Sequence, residues 1–328
     1  MRMVGGARFV AKCPRKKRTI AADYSGRASP SPQRRLLSIE YIRPYYPMPS
    51  KALSINDHSR DSAGMRYVYP VVSRRAGGVS IGINLNPNNA CNWRCIYCQV
   101  PDLVRGGPPP IDLGLLEREL DGFLHWATTG DFMATRVSAD SRRLVDVAFS
   151  GNGEPTSAAE FADAVALVGQ VLAGHRLGDA VRVRLITNGS LLDRKSVQLG
   201  ISRIGTMAGE VWFKLDAGSA AAMARINGSR LRPEAVARRL RHCAELAPTW
   251  VQTCLFRLDG QPPPERELQA YLDLLAPLTS KLAGVHLYGL ARPSLQPDAS
   301  RLGRLEQDWM ESFALRVGAG GLMVKLSP

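Results

Sequence analysis

Cys91, Cys95 and Cys98 fall within eight positions of one another, in the run ACNWRCIYCQ, and make up half of the six cysteines in the chain. A Cys-x3-Cys-x2-Cys spacing offers three soft thiolate ligands and no fourth. Structural zinc is almost always held by four ligands, and the nearest histidines, His58 and His125, lie far away in sequence. An iron–sulfur cubane is the other centre that thiolates favour, and it normally takes four cysteines. A cluster held by three keeps one iron open, so the spacing points to a reactive centre rather than a sealed one. Cys13, Cys243 and Cys254 stand alone. Cys243 sits on a helical pattern and Cys254 in the hydrophobic run TCLF, where packing accounts for both.

Such a centre needs elements that carry distant residues to one place. From residue 80 short β-branched runs recur, VSIGINLN, VDVAFS, VRVRLITN, VWFKLD, WVQTCLF and VHLYGL, separated by segments of helical length. Apolar residues in those segments repeat at helical spacing: Leu116, Leu120, Phe123, Leu124 and Ala127 in one, then Phe161, Ala164, Val165, Val168, Val171 and Leu172 in the next. Asp112 is the expected N-cap of the first, and Pro233 the expected first-turn residue of a later one. Six alternations of strand and helix call for a parallel sheet with right-handed crossovers, either open or curled into a βα barrel. Polar residues gather at or just past the strand C-termini: Asn86 and Asn88, Asn152 and Glu154, Thr187 and Asn188, Lys214 and Asp216, Tyr288 and Arg292. In α/β folds that rim is where sites are built. The three cysteines lie in the loop after the first of these strands.

At 328 residues and 45% hydrophobic content the chain fills a substantial core. No apolar run is long enough to span a membrane and the N-terminus lacks the apolar stretch of a secretory signal, so a cytoplasmic protein with no membrane partner is expected. The net charge is +14, of which residues 1–47 carry +9 and residues 48–328 only +5. A mildly basic body gives a nucleic-acid partner little support. The group Arg225, Arg230, Arg232, Arg238, Arg239 and Arg241 reads as a solvated helix face. Residues 1–50 are rich in Arg, Ser and Pro and read as a disordered basic leader, either a targeting segment or a consequence of translation starting at Met48 or Met65. Tyr41, Tyr45 and Tyr46 form a local aromatic group there, with no role assigned.

The run CNWRCIYC resembles the hallmark of the radical S-adenosylmethionine (SAM) superfamily, Cys-x3-Cys-x-aromatic-Cys, with Tyr97 in the aromatic position. SGNGEPT, after the second expected strand, is similar to the family's Gly-Gly-Glu-Pro motif: Gly153, Glu154 and Pro155 match, and Asn152 replaces the first glycine. Asn tolerates positive φ better than other non-glycine residues, so the turn is expected to survive at Asn152. The resemblance covers roughly residues 80–290 and implies a partial (β/α)6 TIM-like barrel. It implies that Cys91, Cys95 and Cys98 hold a [4Fe-4S] cluster whose open iron chelates the amino and carboxylate groups of SAM. An electron from the cluster then cleaves the sulfonium to a 5′-deoxyadenosyl radical, which abstracts hydrogen from a substrate. Carried over to this sequence, Tyr97 lies near the adenine and Gly153 with Glu154 receives the amino group. Lys214 in FKLDAG suits the methionyl carboxylate, Asp216 a ribose hydroxyl, and Asn188 in ITNGS a further place on the cofactor rim. No flavin or nicotinamide fingerprint is visible, so reducing power is expected from an external donor such as flavodoxin or ferredoxin.

Within the superfamily, NLNPNNACNWRCIYCQ, FSGNGEPT, LITNGSLL, KLDAG and LYGLARP are most similar to the group containing wybutosine-type tRNA-modifying enzymes and their bacterial relatives, which suggests tRNA or another anionic substrate. Those enzymes carry additional upstream cysteines for a second cluster, whereas only Cys13 precedes the triad here. Two other readings stand beside this one: an activating enzyme of the glycyl-radical type, acting on a protein backbone, and a non-catalytic zinc or iron–sulfur module. The expected organisation is a leader over 1–50, an extension packing on the barrel over 51–79, the barrel over 80–297, and a cover over 298–328. For this last segment the spacing of Leu302, Leu305, Trp309 and Phe313 predicts one long amphipathic helix before a short strand.

Overall fold

All six expected strands form, and successive side chains along each point to opposite faces of the sheet. A computed structural model of the protein describes residue 53, residues 64–73 and residues 77–328. The expectations for the leader, for Cys13, His58 and the three tyrosines, and for most of residues 51–63 lie outside the described residues. Eight strands make one sheet: β1 (Val68–Ser73), β2 (Gly78–Ile83), β3 (Leu144–Phe149), β4 (Arg182–Thr187), β5 (Glu210–Lys214), β6 (Thr249–Cys254), β7 (Gly284–Tyr288) and β8 (Val324–Ser327). They stand in the sheet in chain order. β1 is antiparallel to β2, and every later neighbour is parallel.

Because the order never reverses, right-handed crossovers place all helices on one face and let the sheet curl into a half-barrel. α1 (Leu113–Thr129) and the short α2 (Phe132–Arg136) join β2 to β3, α3 (Phe161–Gly174) joins β3 to β4, and α4 (Lys195–Thr206) joins β4 to β5. α5 (Ala220–Asn227) and α6 (Pro233–Leu246) together join β5 to β6, α7 (Glu265–Leu275) joins β6 to β7, and α8 (Gln307–Ala319) joins β7 to β8. Asp112 caps α1, accepting from Leu115 N, and Pro233 opens α6, both as expected.

The convex face is the core. Val79, Ile81, Ile83, Val147, Phe149, Leu185, Val211, Phe213, Val251, Val285 and Leu287 are all buried against the helices. Helix apolar stripes meet them, including Leu116, Leu120, Phe123 and Leu124 of α1 and Ala164, Val165 and Val168 of α3. The concave face is polar. Arg184 Nε donates to Glu210 Oε1 at 2.6 Å, its Nη1 pairs with Asp146, and Ser80 Oγ donates to the same Asp146 carboxylate. Trp212 Nε1 donates to Glu210 Oε1 at 2.9 Å, and the Arg184 guanidinium lies 5.0 Å from the Trp212 ring centroid. Burial raises the Glu210 pKa, but the Arg184 and Arg182 guanidiniums outweigh it and hold the carboxyl below its ordinary range. A face built this way lines a cavity rather than a packed core.

Two features differ from expectation. Leu302 and Gly303 form a two-residue antiparallel ladder with Arg257 and Leu258, and the last helix starts only at Gln307. The apolar spacing through Leu302 therefore spans two elements, and the backbone pairing with residues 257–258 takes the first of them out of the helix. The strand after that helix, β8, pairs with β7 as the eighth member of the sheet. At the other edge, β1 is locked in place by one buried carboxylate. Glu119 of α1 accepts from the backbone N–H groups of Arg66 (2.8 Å), Tyr67 (2.8 Å) and Val68 (3.2 Å). Among the described residues no helix is long and apolar enough to cross a membrane.

Glu119→Ala strips three backbone donors of their charged acceptor, and each such hydrogen bond contributes on the order of 1.5–3 kcal/mol. The variant is expected to lose about 3 kcal/mol or more in chemical denaturation and to exchange the β1 amides faster. An unchanged denaturation midpoint would show that β1 is held by packing alone.

Candidate cofactor site

The cysteine loop leaves the C-terminal end of β2 and is held on three sides. Asn84 Oδ1 accepts from Asn86 N and Asn152 N, both at 3.1 Å, joining the loop after β2 to the loop after β3. Asn86 Nδ2 donates to Ala90 O at 2.9 Å, and Ala90–Cys91 pairs in parallel with Val104–Arg105. On the second side, Arg94 N and Ile96 N donate to the carbonyls of Asn227 and Ile226, each at 2.9 Å. Those carbonyls lie in the last turn of α5, where a helix leaves its acceptors unpaired. Gly228, in the left-handed region at φ 60°, ends the helix there. On the third side, Ser294 Oγ donates to Ile96 O at 2.7 Å and Leu295 N to Cys98 O at 2.9 Å.

Asp216 is the junction of these supports. Its Oδ2 accepts from Tyr97 OH at 2.5 Å and from Asn227 Nδ2 at 2.7 Å, and its Oδ1 accepts from Cys254 N at 2.9 Å. Asn227 Nδ2 also donates to Cys95 Sγ at 3.3 Å. Lys214, two residues before Asp216, donates from Nζ to Tyr288 OH at 2.9 Å and lies 5.1 Å from the Tyr97 ring centroid. Burial disfavours its charge, but the facing Tyr288, Asp216 and Cys95 outweigh that and raise its pKa, so Lys214 is a cation.

Glu154 lies opposite, buried beyond the end of β3. Its Oε1 accepts from Thr156 N (3.2 Å), Thr156 Oγ1 (2.6 Å) and Thr187 Oγ1 (2.6 Å), and its Oε2 from Asn188 N (2.7 Å). Burial raises its pKa above the ordinary carboxylate value against the pull of those donors. Asn188 Nδ2 donates to Asn92 Oδ1 at 2.9 Å, tying β4 to the cysteine loop. Gly153 presses on the start of that loop, since a Cβ there would lie 2.2 Å from Ala90 O. The expected positive φ does not fall on Asn152. Gly151 takes it, at 136°, while Asn152 donates from Nδ2 to Asn89 Oδ1 at 2.7 Å.

Eight of the nine residues singled out from the sequence line a single cavity of about 500 Å³: Cys91, Cys95 and Cys98 with Tyr97, Gly153, Glu154, Asn188 and Lys214. Asp216 is not among the residues that line the cavity and takes three protein donors on its two oxygens. Cys254 and Cys243 are buried, as expected of packing residues. Burial pushes the Cys91 thiol up to about 11 and the Cys95 thiol up to about 12. Among the described residues, no three Cys, His, Asp or Glu side chains group so as to hold a single metal ion.

Several participants went unread in the sequence. Asn227 looks like any helix-ending residue before a glycine, Asn92 like a filler within the motif, and Ser294 lies about 200 positions from the carbonyls it meets. Gln252 of β6 is buried on the concave wall with no hydrogen-bond partner at Nε2. Only its place on an alternating strand signalled which face it joins.

No family model matches the chain. One curated protein aligns at 28% identity over 131 residues, a GTPase Obg from Brachyspira hyodysenteriae (strain ATCC 49526 / WA1), covering 39% of this chain. The chain spans 16% of that relative's length. Among solved structures, a radical SAM methyltransferase from Sphaerobacter thermophilus matches with a TM-score of 0.51 at 14% identity, covering 79% of this chain and 68% of the other. A domain of pyruvate-formate lyase-activating enzyme from Bacteroides vulgatus ATCC 8482 gives 0.41 at 14% identity, covering 56% of this chain and 99% of that one. The FeFe-hydrogenase maturase HydG from Carboxydothermus hydrogenoformans gives 0.48 at 12%, covering 75% and 53%. At these identities the likeness concerns fold alone, and of the three only the first exceeds a TM-score of 0.5. What the chain shares with the radical SAM methyltransferase is the fold, a curled, mostly parallel half-barrel.

Proposed function

We propose that the chain is a radical SAM enzyme that binds one [4Fe-4S] cluster through Cys91, Cys95 and Cys98 and cleaves SAM reductively, to abstract hydrogen from a substrate. The observation that carries this reading is three thiols at one cavity, on the C-terminal rim of parallel strands, with the half-buried Lys214 and the buried Glu154 on its walls. The donor set fits the cluster. Half-buried thiols with raised pKa values, as at Cys91 and Cys95, need a cation to ionise at neutral pH, and Trp93 N at 3.5 Å from Cys91 and Asn227 Nδ2 at 3.3 Å from Cys95 direct N–H groups at the sulfurs. A zinc module is less well supported, because its four ligands must converge on one ion.

When bound, the cluster supplies a low-potential electron and an open iron for the amino and carboxylate groups of SAM. The chain's residues orient the rest. Lys214 offers its ammonium to the methionyl carboxylate, held in place by Tyr288 OH and the Tyr97 ring. Glu154 and the backbone at Gly153 offer acceptors to the methionyl ammonium. Tyr97, its hydroxyl fixed on Asp216, presents an aromatic edge for the adenine, and Asn188 completes the rim. Asp216 is a strut in this scheme rather than a ribose ligand, which departs from the assignment suggested by the sequence resemblance. The substrate enters the remaining space over the polar concave face. Membership of the wybutosine-type group rests on the sequence motifs. Of the cations that line the cavity, Arg184 is committed to Asp146 and Glu210 and Lys214 to Tyr288, which gives a tRNA substrate little support there.

Anaerobically reconstituted protein is expected to hold about four iron and four sulfide per chain and to release 5′-deoxyadenosine from SAM with dithionite. Cys95→Ala should abolish both, and zinc without sulfide in the native protein would overturn the reading. Asp216→Ala leaves Tyr97, Asn227 and Cys254 N–H without their acceptor and is expected to cost about 3 kcal/mol of folding stability. Lys214→Met is expected to change stability by about 1 kcal/mol, the worth of the hydrogen bond from Nζ to Tyr288 OH. It should weaken SAM binding about tenfold, the worth of one charge-assisted contact. Equilibrium dialysis of SAM and denaturation of both variants check the division of roles, and the reverse pattern would refute it.

A further inference from the structure

Five arginines surround the outer side of the cysteine loop. Arg105 donates from Nη1 to Asn92 O at 3.2 Å and from Nη2 to Gly228 O at 2.8 Å. A Cβ at Gly228 would lie 3.4 Å from both Arg94 Cβ and Arg94 O, so Arg94 packs on the same glycine. Arg225 precedes that glycine by three residues, and Arg230 and Arg232 follow it by two and four. All five are exposed, and among the described residues none forms an ion pair. Arg225 acts at longer range on Asp259, which is already held by Arg301. Residues 91–107 and 223–232 together contain one carboxylate, Asp102, against these five guanidiniums. The expected solvated helix face is therefore, for Arg225, Arg230 and Arg232, half of a compact basic rim. The other half comes from a loop far away in sequence.

None of the five lines the cavity. A polyanion held on them would rest on the cysteine loop and Gly228, outside the residues that line the cavity. The rim is also close to a thiol: Asn227, the residue before Gly228, bonds Cys95 Sγ directly. We propose that this rim is the docking surface for an acidic one-electron carrier protein, which passes its electron to the centre at Cys95 across Asn227 and Gly228. The assignment rests on the function proposed above. The step moves one electron and no atoms: the reduced carrier is oxidised by one electron and the cluster is reduced by one.

The test uses the full chain, reduced flavodoxin as the probe, and two double variants of equal charge change, R230E/R232E on the rim and R118E/R266E on the exposed faces of α1 and α7. Flavodoxin binding, measured at low and high salt with and without reconstituted cluster, should weaken about tenfold or more in the rim variant and lose most of its salt dependence. The control should bind as the parent protein does. Stopped-flow reduction of the cluster by flavodoxin should slow by a similar factor in the rim variant, with dithionite reduction and iron content unchanged. Equal flavodoxin binding by the two variants would overturn the assignment, as would tRNA binding that the rim variant loses while flavodoxin binding stays intact. A parent protein that cleaves SAM with dithionite and ignores flavodoxin refutes the docking surface alone. Absence of a cluster refutes the function, and the binding measurement still reads the surface.

Discussion

The site depends on one buried carboxylate. Asp216 collects a phenol from the cysteine loop, an amide from the end of α5 and a backbone N–H from the end of β6, and so joins three segments that the chain delivers from different directions. A carboxylate with so little contact with water is retained only when donors replace its hydration, and here three do so on two oxygens. The geometry of the three thiols follows. Tyr97 fixes the loop between Cys95 and Cys98, Asn227 reaches past the carboxylate to the Cys95 sulfur, and Lys214 is held over the Tyr97 ring by Tyr288. A group that sequence resemblance assigned to the cofactor thus holds in place residues that would meet it.

The half-barrel sets the terms under which such a junction can exist. Sequential right-handed crossovers put every helix on the convex face, so that face takes the apolar residues and supplies the hydrophobic stabilisation. The concave face is left to Ser80, Asp146, Arg184, Glu210, Trp212 and Gln252. With Arg182 on the second oxygen of Glu210, the network sets two guanidiniums against the carboxylates of Asp146 and Glu210, which makes the floor of the cavity polar without making it strongly charged. Around the cysteine loop, Lys214, Arg292 and Glu154 line the cavity inside and the arginine rim lies outside. Interior and exterior thus offer different chemistry to a bound cofactor and to an approaching protein.

Much of this was legible in the sequence, because the relevant signals are local or periodic. Strand alternation gave all six parallel strands their places, the Asp112 and Pro233 helix starts followed from capping chemistry, and eight of the nine chosen residues meet at one cavity since each lies at or in the loop beyond the C-terminal end of a strand. What was not legible depends on partners distant in sequence. Asp216 has the same local pattern whether it faces a ligand or three protein donors, and nothing near Asn227 reveals that it sits against a thiol. Glu119 looks like an exposed helix residue until β1 is seen to dock on it. The turn strain assigned to Asn152 belongs to Gly151, a shift of one position that a motif alignment cannot detect. At Leu302 helical spacing continued through a residue whose backbone is taken by a neighbouring strand.

The central claim is that the thiols placed by this junction hold a cluster with one iron open to SAM. Electron paramagnetic resonance of the dithionite-reduced, anaerobically reconstituted protein tests it directly, recorded before and after SAM is added. A reduced [4Fe-4S] signal whose g-values shift on adding SAM is the predicted result. A signal indifferent to SAM, or no cluster signal in protein that has bound zinc, would contradict it.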